Sequence, residues 1–180
     1  RYPPPMRLPA DTITIYAIGE SGTRTKNNPF PPAGYGFVAV AGGRGHAHVG
    51  GSVIVRSGNA ITARTQHVTS ITVYLAALAA VARAVDWALH DPYARGRPIC
   101  IRYNEAYAAN ICTGVWRPKQ HKAFATAAHC LWARLRKDRK DRVWVAKIPD
   151  EGPHAAWRRQ ARRLAVSTAQ GGAYVYRRED

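Results

Sequence analysis

Chemistry in a protein needs side chains that change charge, hold metal or attack as nucleophiles, so cysteine, histidine and the catalytic motifs are weighed first. Cys100, Cys112 and Cys130 stand far apart with no CxxC pair, which points to neither a disulfide framework nor a zinc site. They read as buried thiols of a reducing compartment. Among the histidines, His46 and His48 are the close pair, two residues apart in a glycine-rich hairpin with no third ligand nearby, and they read as loop residues. The chain contains no GxSxG elbow, no phosphate-cradling GxxxxGK loop and no paired Cys/His nucleophile. The chemically pointed feature that remains is positive charge.

Lysine and arginine are grouped. Nine fall between Arg117 and Arg142 (Arg117, Lys119, Lys122, Arg134, Arg136, Lys137, Arg139, Lys140 and Arg142) against Asp138 and Asp141, and Arg158, Arg159, Arg162 and Arg163 follow. A charge run is often only a solvated helix face. Here the whole chain carries 27 Lys and Arg against 11 Asp and Glu, a net +16 over 180 residues, and self-repulsion of that size favours a polyanion as partner. Two adjacent basic runs in such a chain predict phosphate contact. Trp116, beside Arg117 and Lys119, is the tryptophan expected to be exposed and free to stack on a base, whereas Trp132 and Trp144 read as packing residues. Tyr16, Tyr35, Tyr103 and Tyr107 fit strand or helix cores.

The elements that must carry these groups follow from periodicity. The composition, 46% hydrophobic and 21% charged, suits one compact domain, expected over 12–168. An extended arm is expected over 1–11, where four prolines forbid helix, and an irregular tail over 169–180. Strands are predicted at Thr12 to Ile18, Tyr35 to Ala41, His48 to Arg56, Ile99 to Tyr103 and Arg142 to Lys147. A helix from Ser70 to Leu89 buries Leu75, Leu78, Ala82, Val85 and Leu89, with Thr69 or Ser70 as N-cap. A brief helix within 104–114 follows. The next, long helix over 119–140 has Phe124, Ala127, Ala128, Leu131 and Leu135 on its apolar side, and a last helix spans 154–167. The longest uncharged stretch that could be helical, Val68 to Ala82, is shorter than the roughly 18 to 20 residues of a bilayer span, so no membrane crossing is expected.

In this order the segments resemble ribonuclease H type 1. ITIYAIGES occupies the place of that family's first strand and its T-D-G-S turn, and GYGFVAV resembles the second strand. TSITVYLAALAAVARAVDWAL resembles the T-N-N-x-x-E-L-x-A helix. ICIRYNEAYAANICTGVW resembles the strand and helix read as I-x-x-D-S-x-Y, and AAWRRQARRLA fits the frame W-N-x-x-A-D-x-L-A. The resemblance implies an α/β fold, a five-stranded mixed sheet of three antiparallel strands and two parallel additions, flanked by helices.

It also implies a site. The family cuts the RNA strand of RNA–DNA hybrids with two divalent metals held by four carboxylates, and the matching positions here read Ile18, Tyr74, Asn104 and Arg162. None is acidic. Glu20, Glu105, Asp150 and Glu151 stand near those positions in sequence, and His154 lies near the place of the family's loop histidine; they read as surface groups rather than a rebuilt centre. No metal, other cofactor or small-molecule substrate is therefore expected, and the chain is expected not to be an enzyme. The expected role is that of a structural protein binding RNA backbone, rRNA first, through Arg117, Lys119, Lys122, Arg134, Arg136, Lys137, Arg139, Lys140, Arg158, Arg159 and Arg162, with neighbouring proteins of a large ribonucleoprotein as further partners. The assembly expected is an organellar ribosome, in the mitochondrion or else the chloroplast. The first residue is Arg1 and no hydrophobic signal core follows, which fits either a removed targeting peptide or a chain boundary. The alternatives are an accessory subunit of a respiratory or photosynthetic complex, a hybrid-binding protein of retroelement origin, and an active hybrid nuclease.

Overall fold

The computed structural model describes residues 6–22, 33–53, 68–170 and 173–179. Six strands form one sheet: β1 (Ile13–Ser21), β2 (Ala33–Ala41), β3 (Arg44–Val53), β4 (Ile99–Tyr103), β5 (Val143–Lys147) and β6 (Val175–Arg178), in the order β5-β4-β1-β2-β3-β6. β1, β2 and β3 are antiparallel neighbours, while β4 adds parallel to β1 and β5 parallel to β4. The three antiparallel strands and the two parallel additions are as the sequence predicts. β6 is the difference. It pairs antiparallel with β3, Val49 opposite Tyr176, within the segment expected to be irregular. The predicted third strand extends to Arg56, and its residues 54–56 lie outside the described residues.

Helices cover both faces: α1 (Val68–His90), α2 (Ala106–Cys112) and α3 (Lys122–Asp138) on one, α4 (Pro153–Ala169) on the other. The division is written along β1, where side chains alternate. Ile13, Ile15 and Ala17 join a core with Leu78, Val81 and Val85 of α1, and Ala128, Trp132 and Leu135 of α3. Tyr16 and Ile18 join a second, smaller core with Ile148, and Ala161 and Ala165 of α4. β2 is buried along its whole length because both helical layers meet it. Glycine permits the closest approaches: a Cβ on Gly19 would stand 2.1 Å from the backbone of Ala76 in α1, and one on Gly36 would stand 2.3 Å from the Ala161 carbonyl in α4.

Three local expectations are corrected. α1 begins at Val68, ahead of the expected caps Thr69 and Ser70. The buried side of α3 is Ala125, Ala128, Trp132 and Leu135, so Phe124 and Ala127 face water; the helix is turned because α1 and α2 pack on it along a different stripe. His46, read as a loop residue, belongs to β3 together with His48, which the predicted third strand already included; His48 is buried with its Nε2 2.9 Å from Gln160 Oε1. The expectation about membranes also needs refinement. By length and composition Val73–His90 would cross a bilayer, but it contains Arg83 and Asp86 and 67% of it is buried inside the fold, so it is a core helix.

Candidate nucleic-acid interface

The parallel register of β1 and β4, Ala17 opposite Tyr103, brings Ile18 and Asn104 to the same end of the sheet. Gly19 lets α1 press on β1 there, placing Tyr74 at that end, and α4 crosses the other face with Arg162. The four positions where the resemblance puts carboxylates thus belong to one region. Their chemistry is not that of a metal centre. Ile18 is sealed at 2% exposure against Ile148, Ala161 and Ala165. Asn104 is exposed, and Tyr74 turns outward with its ring 5.1 Å from that of Tyr107 in α2.

Arg162 Nε donates to Glu20 Oε1 at 2.9 Å, which spends the nearby carboxylate on a guanidinium. Asp150 accepts from Arg158 at 2.6 Å. Glu105 precedes α2 and makes no capping bond. Among the described residues no group of three or more His, Cys, Asp or Glu is placed to hold a cation. Two divalent ions need several negative oxygens on one centre, and a fixed guanidinium repels them. These residues do not fit the two-metal site.

His154 is tied rather than free. Its Nδ1 lies 2.7 Å from the Tyr16 hydroxyl. Burial, and then the Arg102 charge, hold the imidazole below its ordinary pKa, while burial pushes the Tyr16 phenol up. At neutral pH the Tyr16 O–H therefore donates to a neutral imidazole. Burial likewise pushes the Cys100 thiol up to about 11 and Cys112 to about 12, leaving both protonated and unreactive; Cys130, expected to be buried, is exposed because the core side of α3 is the stripe through Ala128 and Trp132.

The basic residues divide between the two faces. Arg117 and Lys119 project from the loop after α2, and Lys122, Arg134, Arg136 and Lys137 from α3, with Lys140 just beyond it; all are exposed, and Arg136 pairs with Asp141 at 2.9 Å. Arg158, Arg159 and Arg162 lie on α4, behind the sheet. One continuous patch does not result. Arg139 is a correction of another kind. Its side chain is 1% exposed, donating from Nε to the Arg97 carbonyl at 2.9 Å and from Nη2 to the carbonyls of Ala88 and Ala94 at 2.6 and 2.8 Å, with Nη1 on Asp138. It cannot reach a phosphate. Tyr107, expected in the core, is only partly buried and lines a surface pocket; its helical spacing to Ile111 is the signal in the sequence that joins the two.

No protein-family model and no curated protein matches the sequence. Solved structures do. The foamy viral protease-reverse transcriptase in complex with an RNA/DNA hybrid is 17% identical, with a TM-score of 0.64 over 93% of this chain and 21% of that one. The RNase H domain of prototype foamy virus, a solution structure, is 14% identical with a TM-score of 0.61, covering 89% of this chain and 96% of that one. The N-terminal RNase H domain of a Mycobacterium tuberculosis protein is 18% identical with a TM-score of 0.52, over 89% and 94%. The chain spans about a fifth of the viral protease-reverse transcriptases it matches. A sheet in the order β5-β4-β1-β2-β3-β6, helices on both faces and these likenesses lead to one conclusion: the chain has the ribonuclease H-like fold.

Proposed function

We propose that the chain is a non-catalytic protein that binds RNA backbone as a structural component of a large ribonucleoprotein, an organellar ribosome of the mitochondrion being the assembly we favour. The observation that carries the reading is the Arg162–Glu20 pair, 2.9 Å long, standing where dication ligands would be needed. A guanidinium in that place favours a phosphate over a metal. The net charge of +16 and the exposed cations of α3 and α4 supply the wider attraction for a polyanion. Two structural neighbours have been solved with an RNA/DNA hybrid, which makes nucleic acid the natural first ligand to try. A fixed structural role needs no turnover, and a ribosome supplies the polyanion.

Incubation of the purified chain with an RNA–DNA hybrid and Mg²⁺ or Mn²⁺ should give no cleavage, and either ion should leave the melting temperature unchanged, since only binding to the folded state raises it. Metal-dependent cleavage lost in Glu20→Gln would overturn the non-catalytic reading. For the assembly, sedimentation after gentle lysis should place the protein with ribosomal particles and release it on RNase treatment. Co-migration with a membrane complex, insensitive to RNase, counts against the ribosome.

A further inference from the structure

We propose that the rim of the former metal region, with the pocket beside it, is a stacking platform for the unpaired bases of single-stranded RNA. The inference rests on the nucleic-acid reading above and deepens it by naming the form of nucleic acid. Where the resemblance expects a metal-binding Glu there is Tyr74, 41% exposed, its ring tilted against Tyr107 at 5.1 Å. Tyr107 is also one wall of a pocket of about 350 Å³, completed by Ile111, Trp116, Arg117, Lys119 and Gln120. That volume lies in the range of small-ligand sites, about 300 to 1,000 Å³.

The rings are held outward rather than folded in. Trp116 is 48% exposed and the neighbouring Val115 is 69% exposed, although each has apolar surface to bury. The turn that presents them is fixed: Trp116 N–H donates to the Asn110 carbonyl at 2.9 Å, Gly114 takes a positive φ of 82°, and His129 Nδ1 meets the Cys112 carbonyl at 2.9 Å. Among the described residues neither Arg117 nor Lys119 is in an ion pair, so both charges are available to an anion. Flat rings with free cations beside them match a base and its phosphate. A duplex keeps its base faces stacked inside, out of reach of these rings, whereas a single strand can splay a base onto them.

The test is fluorescence anisotropy with the full chain, using a short labelled oligouridylate and an abasic sugar-phosphate oligomer of equal length and charge. The base-bearing strand should bind more tightly. Trp116→Leu and Tyr74→Leu should each weaken it by about 5- to 150-fold while leaving the abasic affinity and the salt dependence unchanged. Trp116→Phe should recover most of the loss, and Arg117→Gln with Lys119→Gln should weaken both strands alike. Equal affinity for the two oligomers, or an equal loss on both in Trp116→Leu, overturns the platform while leaving backbone binding intact. Failure of the chain to bind either strand refutes the nucleic-acid reading itself, and the platform with it. An unchanged melting temperature in Trp116→Leu excludes misfolding as the cause of a loss.

Discussion

Four cations crowd the end of α3 within five residues, and their surroundings separate their roles. Arg136, Lys137 and Lys140 are exposed, where a charge costs nothing and can wait for a phosphate. Arg139 is buried, and its guanidinium closes three carbonyls: Ala88 in the last turn of α1, Ala94 and Arg97. Those carbonyls include orphan acceptors of a helix end, and a cation there also meets the negative end of the α1 dipole. Arg139→Met would keep much of the volume and leave the Ala88 and Arg97 carbonyls without a donor, while Ala94 keeps the Arg97 N–H at 3.1 Å. We expect it to lower stability by roughly 3 kcal/mol, or about 6 to 12 °C in melting temperature for a chain of this size, with little change in RNA affinity. Arg136→Gln, Lys137→Gln and Lys140→Gln together should do the reverse. A melting temperature unmoved by Arg139→Met, read by calorimetry, would contradict its role as a cap. Nothing in the run RLRKDRK marks the third of these cations as different. Burial of an arginine depends on which carbonyls other segments bring to it, and that information is tertiary.

At the scale of elements, β6 shows the same division between local and non-local information. Its four residues, Val175–Arg178, are mostly exposed and carry too little apolar alternation to announce a strand. What holds it is β3 on one side and Asp91 on the other: the carboxylate accepts from Tyr176 Oη at 2.9 Å and from Arg178 Nη2 at 2.8 Å, besides Tyr93 N–H at 2.9 Å. With α1 it also walls a cavity of about 870 Å³. Ending the chain before Tyr174 should therefore remove two of three donors from a buried carboxylate and bare the edge of β3. Expected is a loss of about 2 to 3 kcal/mol and concentration-dependent self-association, visible by analytical ultracentrifugation, because an open strand edge invites pairing. A truncated chain that stays monomeric with unchanged melting would show that β6 is an ornament.

By contrast β1, β2, β4 and α1 were legible, since TITIYAI alternates, ICIRY is apolar but for Arg102 and Leu75, Leu78, Ala82 and Val85 recur at helical spacing into a real core. α3 was legible as a helix but not in its facing, because alanines flank both candidate stripes and only the packing of α1 and α2 decides between them. Of the candidate site, the four non-acidic positions could be read through the family resemblance, and the exposure of Trp116 from its basic neighbours Arg117 and Lys119. The pairing of Arg162 with Glu20 could not, since it joins an exposed helix position to a strand end more than a hundred residues away.

For the whole molecule, the sheet is a partition. α3 and the loop before it present one set of cations, α4 presents another, and a rigid α/β body cannot lay both against one straight stretch of backbone. The two sets also differ in how much of their charge is already answered. On α4, Arg158 is paired with Asp150 and Arg162 with Glu20, so a phosphate arriving there must displace or share a carboxylate. On the α3 side, Arg136 has Asp141, whereas Arg134, Lys137 and Lys140 have no ion-pair partner among the described residues. The α3 face should therefore neutralise the larger share of phosphates. Changing Arg134, Lys137 and Lys140 to Gln should flatten the plot of log affinity against log salt by about 0.7 to 0.9 for each phosphate no longer neutralised, equally for unrelated RNA sequences. Changing Arg158, Arg159 and Arg162 to Gln should flatten it less, because release of Glu20 and Asp150 from their partners adds repulsion while few bound counterions depend on these arginines. Both sets reduce self-repulsion in a chain of net +16, so neither should lower the melting temperature at low salt. A steeper loss from the α4 set, measured over the same salt range, would reverse the assignment and make α4 the face that meets RNA.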